Sequence, residues 1–108
     1  MISSTELKRH PTYFMDQSEP DQTTAIAAES KDQSIQTGVW ESGPGVLTLE
    51  FKWSETVYIL DGYAQIKNLK TGEFFTLKKD TLALFEKGTT WSWHVPWKLK
   101  KVFTIIDY

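Results

Sequence analysis

The stretch "FKWSETVYILDGYAQIKNLKTGEFFTLKKDTLALFEKGTTWSWHV", Phe51 to Val95, decides the fold. It is a series of short apolar runs separated by turn dipeptides. "TVYILDG" reads as a buried strand ended by Asp61-Gly62, and "AQIKNL" as the strand after it. Thr71-Gly72 within "KTGE" makes a hairpin turn. "FFTLKKD" and "TLALFEKG" are two further strands, and "WSWHVP" opens the last group.

Upstream, "VLTLEFKW" alternates cleanly. Val46, Thr48, Glu50 and Lys52 share one face, while Leu47, Leu49, Phe51 and Trp53 share the other. "TGVWES" before it is a strand candidate, with a turn at "GPG", residues 43–45. Downstream, "KLKKVFTIIDY" closes the chain as a strand. About eight strands in roughly seventy residues, with no helical stripe, describe an antiparallel barrel or jelly roll. The expected architecture is all-β, with a barrel over residues 37–108.

Residues 1–36 differ in texture. They are polar, with Pro11 and Pro20 and scattered hydrophobes. "STELKRH" suits a single helical turn capped by Ser4 or Thr5. The apolar Tyr13, Phe14, Met15 and Ile26 favour an arm lying across the barrel or a neighbouring subunit over simple disorder.

A chain of 108 residues holds one core. Twelve basic against fourteen acidic residues leave a net charge of −2, which argues against a nucleic-acid footprint. Lys98, Lys100 and Lys101 read as a solvated strand face. With no cysteine, disulfides, thiolate metal sites and cysteine nucleophiles are excluded. The N-terminus carries no apolar run resembling a signal peptide, and no stretch approaches the roughly 20 apolar residues that cross a bilayer. The expectation is a cytoplasmic protein with no membrane partner.

Certain residues resemble the cupins, small jelly-roll barrels of the double-stranded β-helix type. Glu55 and Gly62 stand at the spacing that ends the first cupin motif, and residues Glu86 to Trp91 occupy the second. The closer resemblance is to single-domain cupins related to the ureidoglycine aminohydrolase and ethanolamine-utilisation cupins. It rests on "TGVWESGPG" (37–45), "ETVYILDGYAQI" (55–66), "TGEFFTLKKD" (71–80), "FEKGTTWSWHV" (85–95) and "KKVF".

The resemblance implies a metal held by two histidines and the glutamate of the first motif, with a third histidine from the second. Counting back from Glu55 puts the first two positions at Thr48 and Glu50; a loop one residue shorter puts them at Leu49 and Phe51. The second-motif position is Trp91. Glu55 survives, Glu50 is a possible carboxylate substitute, and no imidazole stands at any of these positions. His94, three residues past Trp91, points to the opposite face of an extended strand unless a bulge turns it, and His10 lies in the arm. No metal and no cofactor are expected.

A barrel interior remains a concavity suited to a small ligand. The candidate lining is Trp40, Thr48, Glu50, Glu55, Trp91 and Trp93, with packing the stronger reading for Trp93. Tryptophan rings beside carboxylates suit a polar metabolite or a sugar-like compound. In apolar walls Glu55 would be an acid or base, and is the one candidate catalytic residue.

Tyr58 and Leu60 leave "TVYILDG" apolar on both faces, which predicts a homodimer with sheets packed together. The leading reading is thus a small-molecule-binding domain with a degenerate metal site. An enzyme acting on a small nitrogenous metabolite, as the aminohydrolase resemblance implies, stands second. A non-catalytic accessory subunit with Trp91 plugging the barrel stands third.

Overall fold

The computed structural model describes residues 21–107 together with the short strand Lys8–Arg9. The strands are β1 (Lys8–Arg9), β2 (Gln22–Glu29), β3 (Ile35–Ser42), β4 (Gly45–Glu50), β5 (Ser54–Asn68), β6 (Phe74–Lys78), β7 (Leu82–Phe85), β8 (Thr90–Val95) and β9 (Leu99–Ile106). Among the described residues there is no helix. All pairings are antiparallel. One sheet runs β1-β2-β3-β9-β5-β7 and the other β4-β8-β5-β6, with β5 shared between them. This is the expected all-β jelly-roll barrel.

The sharing of β5 corrects one reading. "TVYILDG" and "AQIKNL" are not two strands but one strand of 15 residues. Its first half pairs with β9 and β7, its second with β8 and β6. Asp61-Gly62 bends the strand without ending it. The register slips between Ile59 and Asp61, leaving Leu60 as the extra residue of a bulge. Gly62 has φ +74°, and a Cβ there would lie 1.9 Å from the Lys98 carbonyl oxygen. Only glycine takes the chain around this corner so close to the neighbouring loop.

The sheet begins earlier than Thr37. β2, inside the expected arm, pairs with β3 from Gln22↔Ser42 to Glu29↔Gln36. Within the expected helical turn, Lys8 and Arg9 pair with Thr24 and Thr23 as a strand. His10, Tyr13, Phe14 and Met15 lie outside the described residues. Ile26 is on β2 and exposed.

The alternation read from "VLTLEFKW" holds: Leu47, Leu49 and Phe51 enter the core. They meet Val57, Ile59, Ala64 and Ile66 of β5, Leu77 of β6, Phe85 of β7, Trp91, Trp93 and Val95 of β8, and Leu99 and Phe103 of β9. Rings dominate the middle. Phe51 and Phe85 stack at 4.7 Å, and Phe85 also meets Trp93 at 5.2 Å and Trp91 edge-on at 5.4 Å. Large rings fill a small barrel with few side chains.

Candidate functional site

Along β9, Leu99, Lys101 and Phe103 are buried while Lys100, Val102 and Thr104 between them are not. Lys101 therefore points into the barrel. The solvated-face reading holds for Lys98 and Lys100, which bond outward to Asp61 (2.7 Å) and Glu41 (3.5 Å). For Lys101 it is wrong, because period-two alternation between two inward hydrophobes leaves it no other side.

Inside, the Lys101 Nζ donates to Glu55 Oε2 at 3.1 Å. Lys101 is 5% exposed and Glu55 3%. The other carboxylate oxygen, Oε1, accepts from Trp53 Nε1 at 3.1 Å. The ammonium lies 4.8 Å from the centre of the Trp40 ring and 4.6 Å from that of Trp93. Trp40 is fixed by its Nε1–H bond to Gln22 Oε1, 2.9 Å, and meets Trp93 edge-on at 6.3 Å. Glu55, Lys101 and Trp40 come from β5, β9 and β3 of one sheet, Trp93 from β8 of the other. The Trp93 Nε1–H has no acceptor.

Behind Phe85 and Trp91 lies a cavity of about 270 Å³. Ile66, Phe75, Leu77, Leu82, Ala83 and Leu84 line it along with those two rings, and Thr76 and Thr81 supply the hydroxyls. It opens at the corner where the chain crosses from β6 to β7, beside the exposed Phe75, Leu82 and Leu84. Trp91 Nε1 donates to Thr89 Oγ1 at 3.1 Å, and Phe75 approaches its ring at 6.0 Å. The indole N–H is thus spent, and a ring face is what Trp91 offers.

The six expected lining residues divide three ways. Trp91 lines the cavity. Trp40, Glu55 and Trp93 converge, but around Lys101 and not on that cavity. Thr48 and Glu50 do not join either group. They alternate with the buried Leu47 and Leu49, and Glu50 is exposed, because turning them inward would expose two leucines. Motif counting had two registers, and the hydrophobic pattern selects the one that puts Leu49 and Phe51 inside. His94 pairs across from Val46 and Gln65 and is exposed, so it faces away from the interior.

These residues do not fit the ion that the resemblance implies. Leu49, Phe51 and Trp91 stand at the donor positions and none of them can ligate. The surviving Glu55 already has both oxygens engaged. Among the described residues no three His, Cys, Asp or Glu side chains come together as a metal site.

Sequence reading missed Lys101, Trp53 and the β6–β7 wall of the cavity. The signal for Lys101 was present in Leu99 and Phe103, two residues to either side.

No curated protein matches the sequence. The solved structure of the EutQ protein of Clostridium difficile superposes with a TM-score of 0.70 at 17% identity, covering 82% of this chain and 69% of that one. A putative ethanolamine utilization protein Q from Salmonella typhimurium LT2 gives 0.73 at 12% identity, over 98% and 97% of the two chains. At these identities both show a shared fold only. A DUF861 family protein of Thermotoga maritima is 26% identical with a TM-score of 0.57, over 60% of this chain and 73% of that one. A family model described as EutQ-like cupin domain matches residues 29–103, from the end of β2 to Phe103 of β9. With the match spanning most of the barrel, the chain belongs to the EutQ-like cupin domain family.

Proposed function

We propose that this cupin is a small-molecule-binding domain that works without a metal, and that its ligand enters the cavity between β6 and β7. The observation that carries this is the cavity's make-up: about 270 Å³, walled by Trp91, Phe75 and Phe85, with hydroxyls only from Thr76 and Thr81. Ligand sites are commonly apolar concavities with a few placed polar groups. No carboxylate lines this one, so the ligand is smaller and less polar than the sugar-like compound the sequence suggested. A compact molecule with one flat apolar face and one or two hydroxyl-binding groups suits it. Glu55, the candidate acid or base, is tied to Lys101 and Trp53 and is not on the cavity wall. This favours binding over catalysis.

The test is a fragment screen read by amide NMR. Small flat fragments are expected to shift Phe75, Thr76, Leu84 and Trp91 together. Fragments that consistently shift residues elsewhere, or a complete lack of response from this group, would sink the reading.

The same reading includes a second copy of the chain. On the outer face of the larger sheet, paired residues form the rows Val39–Val102–Tyr58–Leu82 and Thr37–Thr104–Thr56–Leu84. Neither row carries a charge. Bordering them are the pairs Lys100–Glu41 and Lys98–Asp61, where both signs alternate. Such a face suits its own two-fold image, since a charge-free centre with a mixed rim is self-complementary.

A further inference from the structure

The Glu55–Lys101 pair calls for its own account, independent of what the neighbouring cavity binds. A buried ion pair is a poor device for stability alone, because hydrophobic side chains of similar volume do as well or better. Here the pair is not merely tolerated. Glu55 uses both oxygens, one on Lys101 and one on Trp53. Lys101 lies within 5 Å of two indole faces, one from each sheet. Trp40 is anchored by Gln22 so that its face stays toward the ammonium. One carboxylate and two ring faces around a positive centre make a cation site.

We infer that Lys101 is a tethered cation. The barrel keeps a closed cation site on Glu55, and the chain's own ammonium fills it, standing on the carboxylate where a dissociable ion would otherwise sit. The charge that balances Glu55 is thereby covalently attached and cannot be lost to chelators. The positions that would have supplied further donors, Leu49, Phe51 and Trp91, are then free to be apolar. They pack the core, and Trp91 serves the cavity. The site selects for a monovalent, soft-shelled cation. Indole faces attract an alkylammonium, whereas a divalent ion needs several oxygen or nitrogen donors that are not present.

The test empties the site and asks what refills it. Lys101→Ala removes the ammonium and three methylenes, leaving Glu55 buried without its partner. Its melting temperature is expected to fall by about 10 °C or more. Ethyl- or propylammonium chloride should raise it again in a saturable manner, because a ligand of the native state stabilises it in proportion to occupancy. The wild type in the same salt should respond only as it does to sodium chloride. Manganese, nickel and zinc should move neither protein.

Rescue of the variant by a divalent metal but not by the amines would overturn the inference, as would a variant as stable as the wild type. Should Lys101→Ala fail to fold, the comparison of Lys101→Met with the double variant Glu55→Gln/Lys101→Met decides. The double variant is expected to fold and to melt well above the single one, and a double variant no better than the single would also overturn it. In the wild type, the Lys101 ε-methylene protons should resonate upfield from ring currents of Trp40 and Trp93; ordinary lysine shifts would count against the caged position.

Discussion

The Lys101 ammonium sits 3.1 Å from the Glu55 carboxylate, and both residues are buried. An isolated charge at that depth would cost several kcal/mol, and each residue is tolerable only because the other is present.

This sets the first prediction. Glu55→Gln should be milder than Lys101→Met, since the amide oxygen still accepts from the ammonium, whereas Lys101→Met leaves a bare carboxylate. We expect a loss of about 3–5 kcal/mol for Lys101→Met, measured by urea unfolding. The coupling between the two sites should exceed about 1 kcal/mol in a double-mutant cycle.

Phe75 and Trp91 should separate binding from folding. Phe75 is about half exposed, so Phe75→Ala should cost little stability while weakening a cavity ligand about tenfold or more. Trp91 is packed on Phe85, and Trp91→Ala should cost about 3–5 kcal/mol as well as the binding. Parallel ligand titrations and denaturation curves check both.

Gly62 is predicted to resist substitution. A methyl group there would meet the Lys98 carbonyl oxygen at a positive φ. Gly62→Ala should destabilise by more than about 1 kcal/mol. By contrast Gly72→Ala, where a Cβ meets nothing within 4 Å, suffers only the strain of its φ of +78°. Thermal unfolding of the pair should rank them in that order.

The turn between β2 and β3 carries a pH signature. Asp32 Oδ1 accepts from the hydroxyl and backbone N–H of Ser34 and from the Ser30 hydroxyl. These bonds hold its pKa down to about 2, below the ordinary 3.8, with the Ser34 hydroxyl the largest cause. A lowered folded value means that the carboxylate's contribution is complete above the ordinary value and is lost as pH falls through about 2. The stability gap between wild type and Asp32→Ala should therefore be constant near neutrality and shrink between pH 4 and pH 2. A carboxyl-carbon NMR titration of Asp32 should give a midpoint about two units below ordinary aspartate.

Sedimentation equilibrium tests the second copy. The wild type should weigh as a dimer at micromolar concentration. Val102→Glu, in the middle of the charge-free rows and away from the cavity, should weigh as a monomer with its fold intact. A wild type that is monomeric throughout would remove the dimer.

The sequence alone determined the all-β barrel, the inward face of β4 and the turn at Gly72, because these follow from alternation and turn chemistry, which act over a few residues. The solvated face read for Lys101 overlooks Leu99 and Phe103, whose inward positions on either side put Lys101 inside as well. Tertiary structure alone decided what Lys101 meets there. Glu55 lies 46 residues away in the chain, and Trp40 and Trp93 reach the ammonium only when β3, β9, β5 and β8 close around it. The continuity of β5 through Asp61-Gly62 was equally hidden, since the same dipeptide serves a hairpin turn or a bulge and the partner strands choose between them. The cavity followed suit: its walls belong to β5, β6, β7 and β8, and the empty space between packed side chains depends on how those strands approach one another, which local spacing does not encode.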